Sequence, residues 1–266
     1  MIRKIKREDK EKLDNFIKRD IYQNVYLYID TQTYGYESEN IETYILEENE
    51  NIKIILYTYY NSLQLFQVNP VISENQIKDI TNYINKNQFN MVSANADLAK
   101  KISFQLQGKY EFSKGVVMCG NKVNPCESGI TEWANENQCD EIAKLICSDA
   151  NIGGHYMVKE LSNQLIDRLR NWHCRNLIIK KDRKIVAHMA TYAEKNDVAV
   201  LGGLITDIQY RGNGYGKKVL VDLTEAILKE EKTPIIFVFN EKLVSWYENI
   251  GWEIVNECGK LEYISK

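Results

Sequence analysis

Hydrophobic positions along this chain alternate between a period of two and a period near 3.6, and they run through almost the same succession of elements twice. The first pass opens with a short strand, Ile2 to Ile5, and a polar helix from about Glu8 to Lys18. Two alternating runs, Glu42 to Glu47 and Ile52 to Tyr60, flank Glu48-Asn49-Glu50-Asn51 and predict a hairpin. Leu63 to Val68 continues the sheet. Ser73 is placed as an N-cap, with Ile77, Ile80, Tyr83 and Ile84 on one face of the helix behind it. A strand near Asn90 to Ser93, a helix near Ala96 to Leu106 and a strand near Phe112 to Cys119 complete the pass.

The second pass places a strand at Ile130 to Ala134, a helix at about Gln138 to Ser148 and another from about Val158 to Trp172. Strands follow at Asn176 to Lys180, Lys184 to Ala193 and Val198 to Asp207. Next come a helix from Gly214 to about Lys229, a strand at Ile235 to Phe239, a short helix over Glu241 to Ile250 and a closing strand at Trp252 to Ile264. Between the passes lies a polar, turn-rich stretch around Pro125, read as a linker at 123–129 between domains at 1–122 and 130–266. The fold class expected is α+β, two mixed domains, and the shared element order suggests an old duplication.

Composition narrows the functional classes. Of 266 residues, 44% are hydrophobic, enough for a sizeable core, and 27% are charged with a net charge of −3. That balance argues against a nucleic-acid binder. The first residues, MIRKIKREDKEK, are too charged for the apolar core of a signal peptide, and no stretch reaches the roughly 18 apolar residues of a membrane span. A cytosolic protein is expected. Six scattered cysteines, Cys119, Cys126, Cys139, Cys147, Cys174 and Cys258, form no CxxC pair, and with three histidines no metal spacing arises. Free thiols and no metal are the expectation.

The segment with chemistry is Leu201-Gly-Gly-Leu-Ile-Thr-Asp-Ile-Gln-Tyr-Arg-Gly-Asn-Gly-Tyr-Gly216. An apolar strand enters a glycine-rich turn, which opens a helix with Val219, Leu220, Leu223, Ala226 and Ile227 as its apolar stripe. Glycines allow close backbone approach, and the free N–H groups of a helix's first turn favour an anion such as a pyrophosphate. A plain glycine turn is the alternative. The dinucleotide fingerprint fails because Lys217 stands where its third glycine belongs. The P-loop fails at Arg211 and Lys218.

What fits is [Arg/Gln]xxGx[Gly/Ala], as Arg211-Gly212-Asn213-Gly214-Tyr215-Gly216, which resembles the coenzyme A pyrophosphate loop of the GNAT superfamily of N-acyltransferases. The resemblance covers roughly Ile130 to Ile264. Gly202-Gly203-Leu204-Ile205-Thr206 is similar to that family's bulged cofactor strand. Asn240 with Trp246-Tyr-Glu-Asn-Ile-Gly-Trp252 is similar to its closing pattern. Ile208 and Leu243 depart from the family's usual proline and alanine, without removing a functional group.

The resemblance implies mostly antiparallel twisted sheets flanked by helices, with a splayed parallel strand pair in the second domain. It implies acetyl-CoA as acyl donor and a primary amine of a small molecule or peptide as acceptor; charge and hydropathy lead to no nucleic-acid or membrane partner being expected, and a monomer and a homodimer both stay open. Leu204, Ile205, Thr206, Arg211, Gly212, Asn213, Gly214, Tyr215, Gly216 and Asn240 are then the candidate cofactor residues. The Leu204 amide is the candidate oxyanion donor. Tyr247 is the candidate general acid for the departing thiolate, with a packed aromatic as its alternative. Asn240 is also compatible with a helix N-cap.

No general base is assigned. His188 alternates with apolar neighbours and reads as a satisfied sheet histidine, while Asp207 and Glu194 are other carriers. His155, in Ile152-Gly-Gly-His-Tyr156, borders the expected acceptor site and reads as a polar turn or a gating loop. In the first half the matching segment, Phe66-Gln-Val-Asn-Pro-Val-Ile-Ser-Glu74, has no glycine, so that half is read as a degenerate copy. Its aromatic cluster of Tyr57, Tyr59, Tyr60 and Phe66 reads as sheet core. The alternatives to an enzyme are an acyl-CoA sensor and a scaffold that binds no acetyl-CoA.

Overall fold

The computed structural model describes residues 2–68, 71–106, 108–123, 129–153, 156–170 and 174–264. Pro70, residues 124–128 of the expected linker, His155 and Trp172 lie outside the described residues.

The first pass folds as β1 (Ile2–Lys4), α1 (Lys10–Ile17), α2 (Ile21–Thr33), β2 (Ile41–Glu48), β3 (Asn51–Tyr59), β4 (Ser62–Gln67), α3 (Glu74–Asn87), β5 (Met91–Asn95), α4 (Ala96–Leu106) and β6 (Tyr110–Cys119). Helix α2 is absent from the sequence reading. Its run of tyrosines and β-branched residues hides a weak helical pattern, and the signal that remains is its cap: the Asp20 carboxylate accepts from the Gln23 amide at 3.0 Å. The second pass folds as β7 (Thr131–Trp133), α5 (Cys139–Cys147), α6 (Ala150–Gly153), α7 (Val158–Arg170), β8 (Asn176–Lys181), β9 (Lys184–Lys195), β10 (Val198–Thr206), α8 (Tyr215–Lys229), β11 (Thr233–Val238), α9 (Glu241–Glu248) and β12 (Glu253–Tyr263).

These elements form two compact units. One comprises Met1–Val117, Phe237–Val244 and Ile254–Lys266, the other Met118–Ile236 and Ser245–Glu253. In the first unit the strand order is β1-β2-β3-β4-β5-β12-β6. Strand β3 is buried on both faces. Ile54 and Leu56 pack with Ile77, Ile80 and Ile84 of α3 and with Leu98 and Ile102 of α4. Ile55 and Tyr57 point the other way, to Leu13, Phe16 and Leu27 of α1 and α2. Tyr57 and Phe66 are thus core, as read from the sequence, whereas Tyr60 is 67% exposed.

The closing strand departs from the sequence order. Instead of finishing the second pass, β12 pairs antiparallel with β5, from Cys258↔Asn95 to Glu262↔Met91. Leu261 joins the α3 and α4 core. A Cβ on Gly259 would lie 2.6 Å from the Ala99 Cβ, so glycine is what lets α4 sit on this strand. Alternation fixes which side chains face inward, not which strand lies alongside.

In the second unit the order is β11-β10-β9-β8-β7. Neighbours pair antiparallel except β10 and β11, which are parallel. One face carries Cys139, Ile142, Ile146, Leu161 and Leu165 of α5 and α7 over Ile178, Ile185 and Ile205. Helix α8 covers β8, β9 and β10, with Val219, Leu220, Leu223 and Ile227 fully enclosed. Gly251 closes this unit with φ +109°, and a Cβ there would meet the Lys122 carbonyl oxygen. The Gly251→Ala variant is therefore expected to lose more than about 2 kcal/mol in urea denaturation.

The described cysteines are free thiols. Burial pushes Cys139 up to about 11 and Cys174 and Cys258 up to about 12, so these three are not activated nucleophiles. Among the described residues no helix is long and apolar enough to cross a membrane, and no group of three His, Cys, Asp or Glu side chains is placed to hold a metal.

Candidate active site

The centre of the site is the far end of β10. Its ladder with β11 runs from Val198↔Thr233 to Leu201↔Ile236 and stops there, although β10 continues to Thr206. On the other side, Gly202 pairs with Ala190 and Ile205 with His188, so Gly203 and Leu204 together oppose Met189. This is a β-bulge, and Gly203 takes the left-handed conformation it needs at φ +66°. Beyond Leu201 the main chain of β10 has no ladder partner on its β11 side.

His188 holds the bulge. Its Nδ1 lies 2.9 Å from the Gly203 carbonyl oxygen and its Nε2 2.9 Å from the Asn176 side-chain oxygen. The ring is fully buried, and burial lowers its pKa from 6.5 to about 4 against the opposing pull of the carbonyl. A neutral imidazole has one N–H and one lone pair. With Nδ1 donating to Gly203, Nε2 must accept. The Asn176 amide then turns to offer its Nδ2, the atom otherwise buried without a partner. The satisfied sheet histidine expected from the sequence is what the structure contains.

This pairing has a pH signature. The folded state binds the His188 proton less readily than the unfolded chain does. Its contribution is complete above pH 6.5 and is lost as pH falls through 6.5 towards 4. The loss amounts to about 3 kcal/mol. Asp30, pushed up by burial from 3.8 to about 7, acts with the opposite sign in an overlapping window. The informative quantity is thus the stability difference between wild type and H188Q. It should carry a slope approaching one proton between those pH values, and a flat difference would contradict a buried neutral ring.

After Thr206 the chain makes a short 3-10 turn, Ile208–Tyr210, capped by the Asp207 side chain accepting from the Gln209 amide at 2.9 Å. Arg211 then braces the loop, donating to the Thr206 carbonyl at 3.1 Å and to the Asp149 carboxylate at 2.8 Å. The Asn213 side chain donates back to the Tyr210 carbonyl at 3.0 Å. Gly212 and Gly214 have φ of +82° and +77°, and a Cβ on either would meet nothing within 4 Å. Gly216 faces the strand, where a Cβ would lie 3.1 Å from the Thr206 hydroxyl oxygen. Tyr215 stacks under Lys181, whose Nζ is 5.5 Å from the ring centre.

The decisive feature is what the loop amides do not do. The first helical hydrogen bond of α8 runs from the Lys218 amide to the Gly214 carbonyl at 3.0 Å, and the N-cap Gly214 offers no side-chain cap. The amides of Arg211 to Lys217 make no hydrogen bond among the described residues. They form an open run of donors at the positive end of a long helix. The matching helix start in the first unit is closed. Ser73 caps α3 by accepting from the Gln76 amide at 3.3 Å, while the Gln76 side chain accepts from the Ser73 amide at 2.9 Å.

Tyr247 lies on α9 and is 4% exposed. Its ring meets those of Trp246 at 4.9 Å and Trp252 at 6.0 Å, both edge-on. Burial raises its pKa well above the usual phenol value, so it stays protonated. Its hydroxyl makes no hydrogen bond among the described residues. Asn240 caps the start of α9, its side-chain oxygen accepting from the Lys242 amide at 3.0 Å. It falls in the first unit, whereas Tyr247, Leu204, Ile205, Thr206 and the loop fall in the second.

The other carriers weighed as bases are engaged. The Asp207 carboxylate accepts from Lys184 at 2.6 Å, and that bond holds its pKa below the usual range. Glu194 binds Arg175 at 2.8 Å and Lys232 at 2.6 Å. The structure adds one residue that the sequence does not reveal. Val200 pairs with Ala193 and Leu201 with Thr191, which leaves Tyr192 as an extra residue in β9. Its ring lies against the main chain of Gly202 and Gly203, where added Cβ atoms would come within 2.6 Å and 2.8 Å of it.

Comparison with known proteins gives this geometry its place. Residues 140–252 match the model of the acetyltransferase (GNAT) family. No curated protein matches the chain. Among solved structures, an acetyltransferase of the GNAT family from Colwellia psychrerythraea is 13% identical with a TM-score of 0.62, covering 99% of this chain and 100% of that one. A Drosophila protein aligns over 99% of this chain and 98% of its own at 10% identity and a TM-score of 0.67. A tandem GNAT protein from the clavulanic acid biosynthesis pathway covers 100% of this chain and 99% of its own, at 9% identity and a TM-score of 0.59. At these identities the structural likeness shows the fold. Residues 140–252 are thus similar to the acetyltransferase (GNAT) family, within a fold shared along the chain's length with a tandem GNAT protein.

Proposed function

We propose that this protein is an N-acetyltransferase that moves an acetyl group from acetyl-CoA to a primary amine by direct attack in a ternary complex. The observation that carries the proposal is the run of unpaired amides from Arg211 to Lys217. It includes two left-handed glycines whose missing side chains leave open space. A diphosphate needs such a surface: converging N–H groups, a helix N-terminus and no Cβ in the way.

The thioester supplies the acyl group and a thiolate leaving group. The chain's own residues do the rest. The loop amides hold the diphosphate. The unladdered side of β10, over Leu204, Ile205 and Thr206, offers main-chain groups to the extended arm. The Leu204 amide stabilises the negative charge that develops on the carbonyl oxygen. Tyr247 gives its proton to the departing sulfur. Asn240 shapes the start of α9. With His188, Asp207 and Glu194 all engaged, no general base is assigned among the described residues.

The first half is proposed to be a degenerate copy, in a division of the sequence at 1–122, 123–129 and 130–266. Its α3 start is sealed by a capping box, which removes the donors a diphosphate would use. The test is thermal melting of the full chain with and without acetyl-CoA, coupled to thiol release across a panel of amines. A stabilisation of a few kcal/mol at saturating acetyl-CoA, with amine-dependent thiol release, is expected. Binding without release would make the protein a sensor, and no binding would leave a scaffold.

A further inference from the structure

Three arginines of the second unit are held by carboxylates, whereas the exposed Arg183 and the half-buried Arg168 make no ion pair among the described residues. Arg170 is paired with Glu136, Arg175 with Glu194 and Glu230, and Arg211 with Asp149. Arg168, on α7 and half-buried, has no carboxylate within ion-pair distance among the described residues. One turn earlier, α7 presents Gln164 and Leu165, and the helix's own acids, Glu160 and Asp167, make no ion pair with Arg168 among the described residues. Its guanidinium carbon sits 5.5 Å from the centre of the Tyr192 ring. Glu194, whose charge reaches the neighbouring Cys174, is itself held by Arg175 and Lys232. Burial pushes the Tyr192 hydroxyl and the Cys174 thiol each up to about 12.

The placement matters because Tyr192 lies directly on Gly202 and Gly203, one residue before the proposed oxyanion amide of Leu204. Tyr192 is itself 36% exposed. A guanidinium stacked on an aromatic ring keeps its fork of N–H donors in one orientation, suited to bidentate contact with a carboxylate. A half-buried cation without an anion beside a proposed acyl-transfer centre is a recognition element awaiting its counter-charge.

We propose that Arg168, held on the ring of Tyr192, binds the carboxylate of the acceptor, so that the substrate is an amine carrying a free carboxylate near its amino group, as an amino acid does. This rests on the acetyltransferase reading above. Arg168 is a specificity residue and Tyr192 its platform. Neither takes part in the proton transfers.

The test uses the full chain, acetyl-CoA and matched acceptors: amino acids, their carboxamides and the decarboxylated amines, followed by thiol release. Wild type should favour the free carboxylates by about 10- to 100-fold in kcat/KM, as expected for a charge-assisted hydrogen-bonded pair. R168Q should remove that preference through KM, with acetyl-CoA affinity unchanged. R168K should restore only part of it. A preference that survives R168Q, a wild type that favours carboxamides, or one that favours phosphorylated amines overturns the carboxylate assignment and leaves the acetyltransferase reading standing. Retained acetyl-CoA binding with no turnover of any amine overturns both.

Discussion

Replacing Gly214 with valine is expected to abolish the stabilisation of this protein by acetyl-CoA, a loss of at least about 100-fold in affinity. Two effects combine. Gly214 sits at φ +77°, where an L side chain is strained by about 1–2 kcal/mol. Its absent Cβ also points into space that no protein atom fills, beside the unpaired amides of Arg211 to Lys217. A branched side chain would occupy the volume proposed for the diphosphate and would restrict the loop that presents those amides. Gly35→Val separates the two effects. Gly35 has φ +80° and open space at its Cβ, but it lies in the first unit beyond α2. It should show the same conformational cost and an unchanged response to acetyl-CoA. Equal loss of the response in both variants would mean that the effect is general destabilisation.

The second large effect is expected at Tyr247. Tyr247→Phe should lower kcat by about 100- to 1000-fold, the range of a general acid, with little change in acetyl-CoA affinity. Because the hydroxyl makes no hydrogen bond among the described residues, removing it leaves no protein group unsatisfied. Stability should stay within about 0.5 kcal/mol of wild type. Burial disfavours the anion of phenol and thiol alike, so the gap between their ordinary values, near about 10 and about 8.5, is carried into the site rather than widened by it. The raised phenol pKa also means that Tyr247 gives no alkaline fall in kcat below about pH 10. An unchanged kcat in Y247F would reduce the residue to a packed aromatic between Trp246 and Trp252.

Much of this was legible in the sequence because the information is local. The N-cap at Ser73, the hairpin around Asn49 and the apolar stripe of α8 are each set by residues within a few positions of one another. So was the glycine pattern from Arg211 to Gly216, since left-handed backbone at Gly212 and Gly214 is a demand that residue type answers directly. Non-local facts were not legible. The alternation of Leu261 and Gly259 announces a strand but cannot say that β5 is its neighbour. His188 reads as a sheet histidine, but its grip on the Gly203 carbonyl depends on a bulge three dimensions away from its own run. Tyr192 leaves no trace in the pattern, because an extra residue in β9 is visible only once β10 lies beside it. Helix α2 was hidden by its tyrosines.

The central proposition, that the amides at the head of α8 grip a coenzyme diphosphate, is tested most directly by amide hydrogen exchange of the full chain with and without acetyl-CoA. The account predicts slowed exchange concentrated in peptides spanning 211–217, with a second region at 204–206. Saturating acetyl-CoA that leaves exchange across 211–217 unaltered would contradict it.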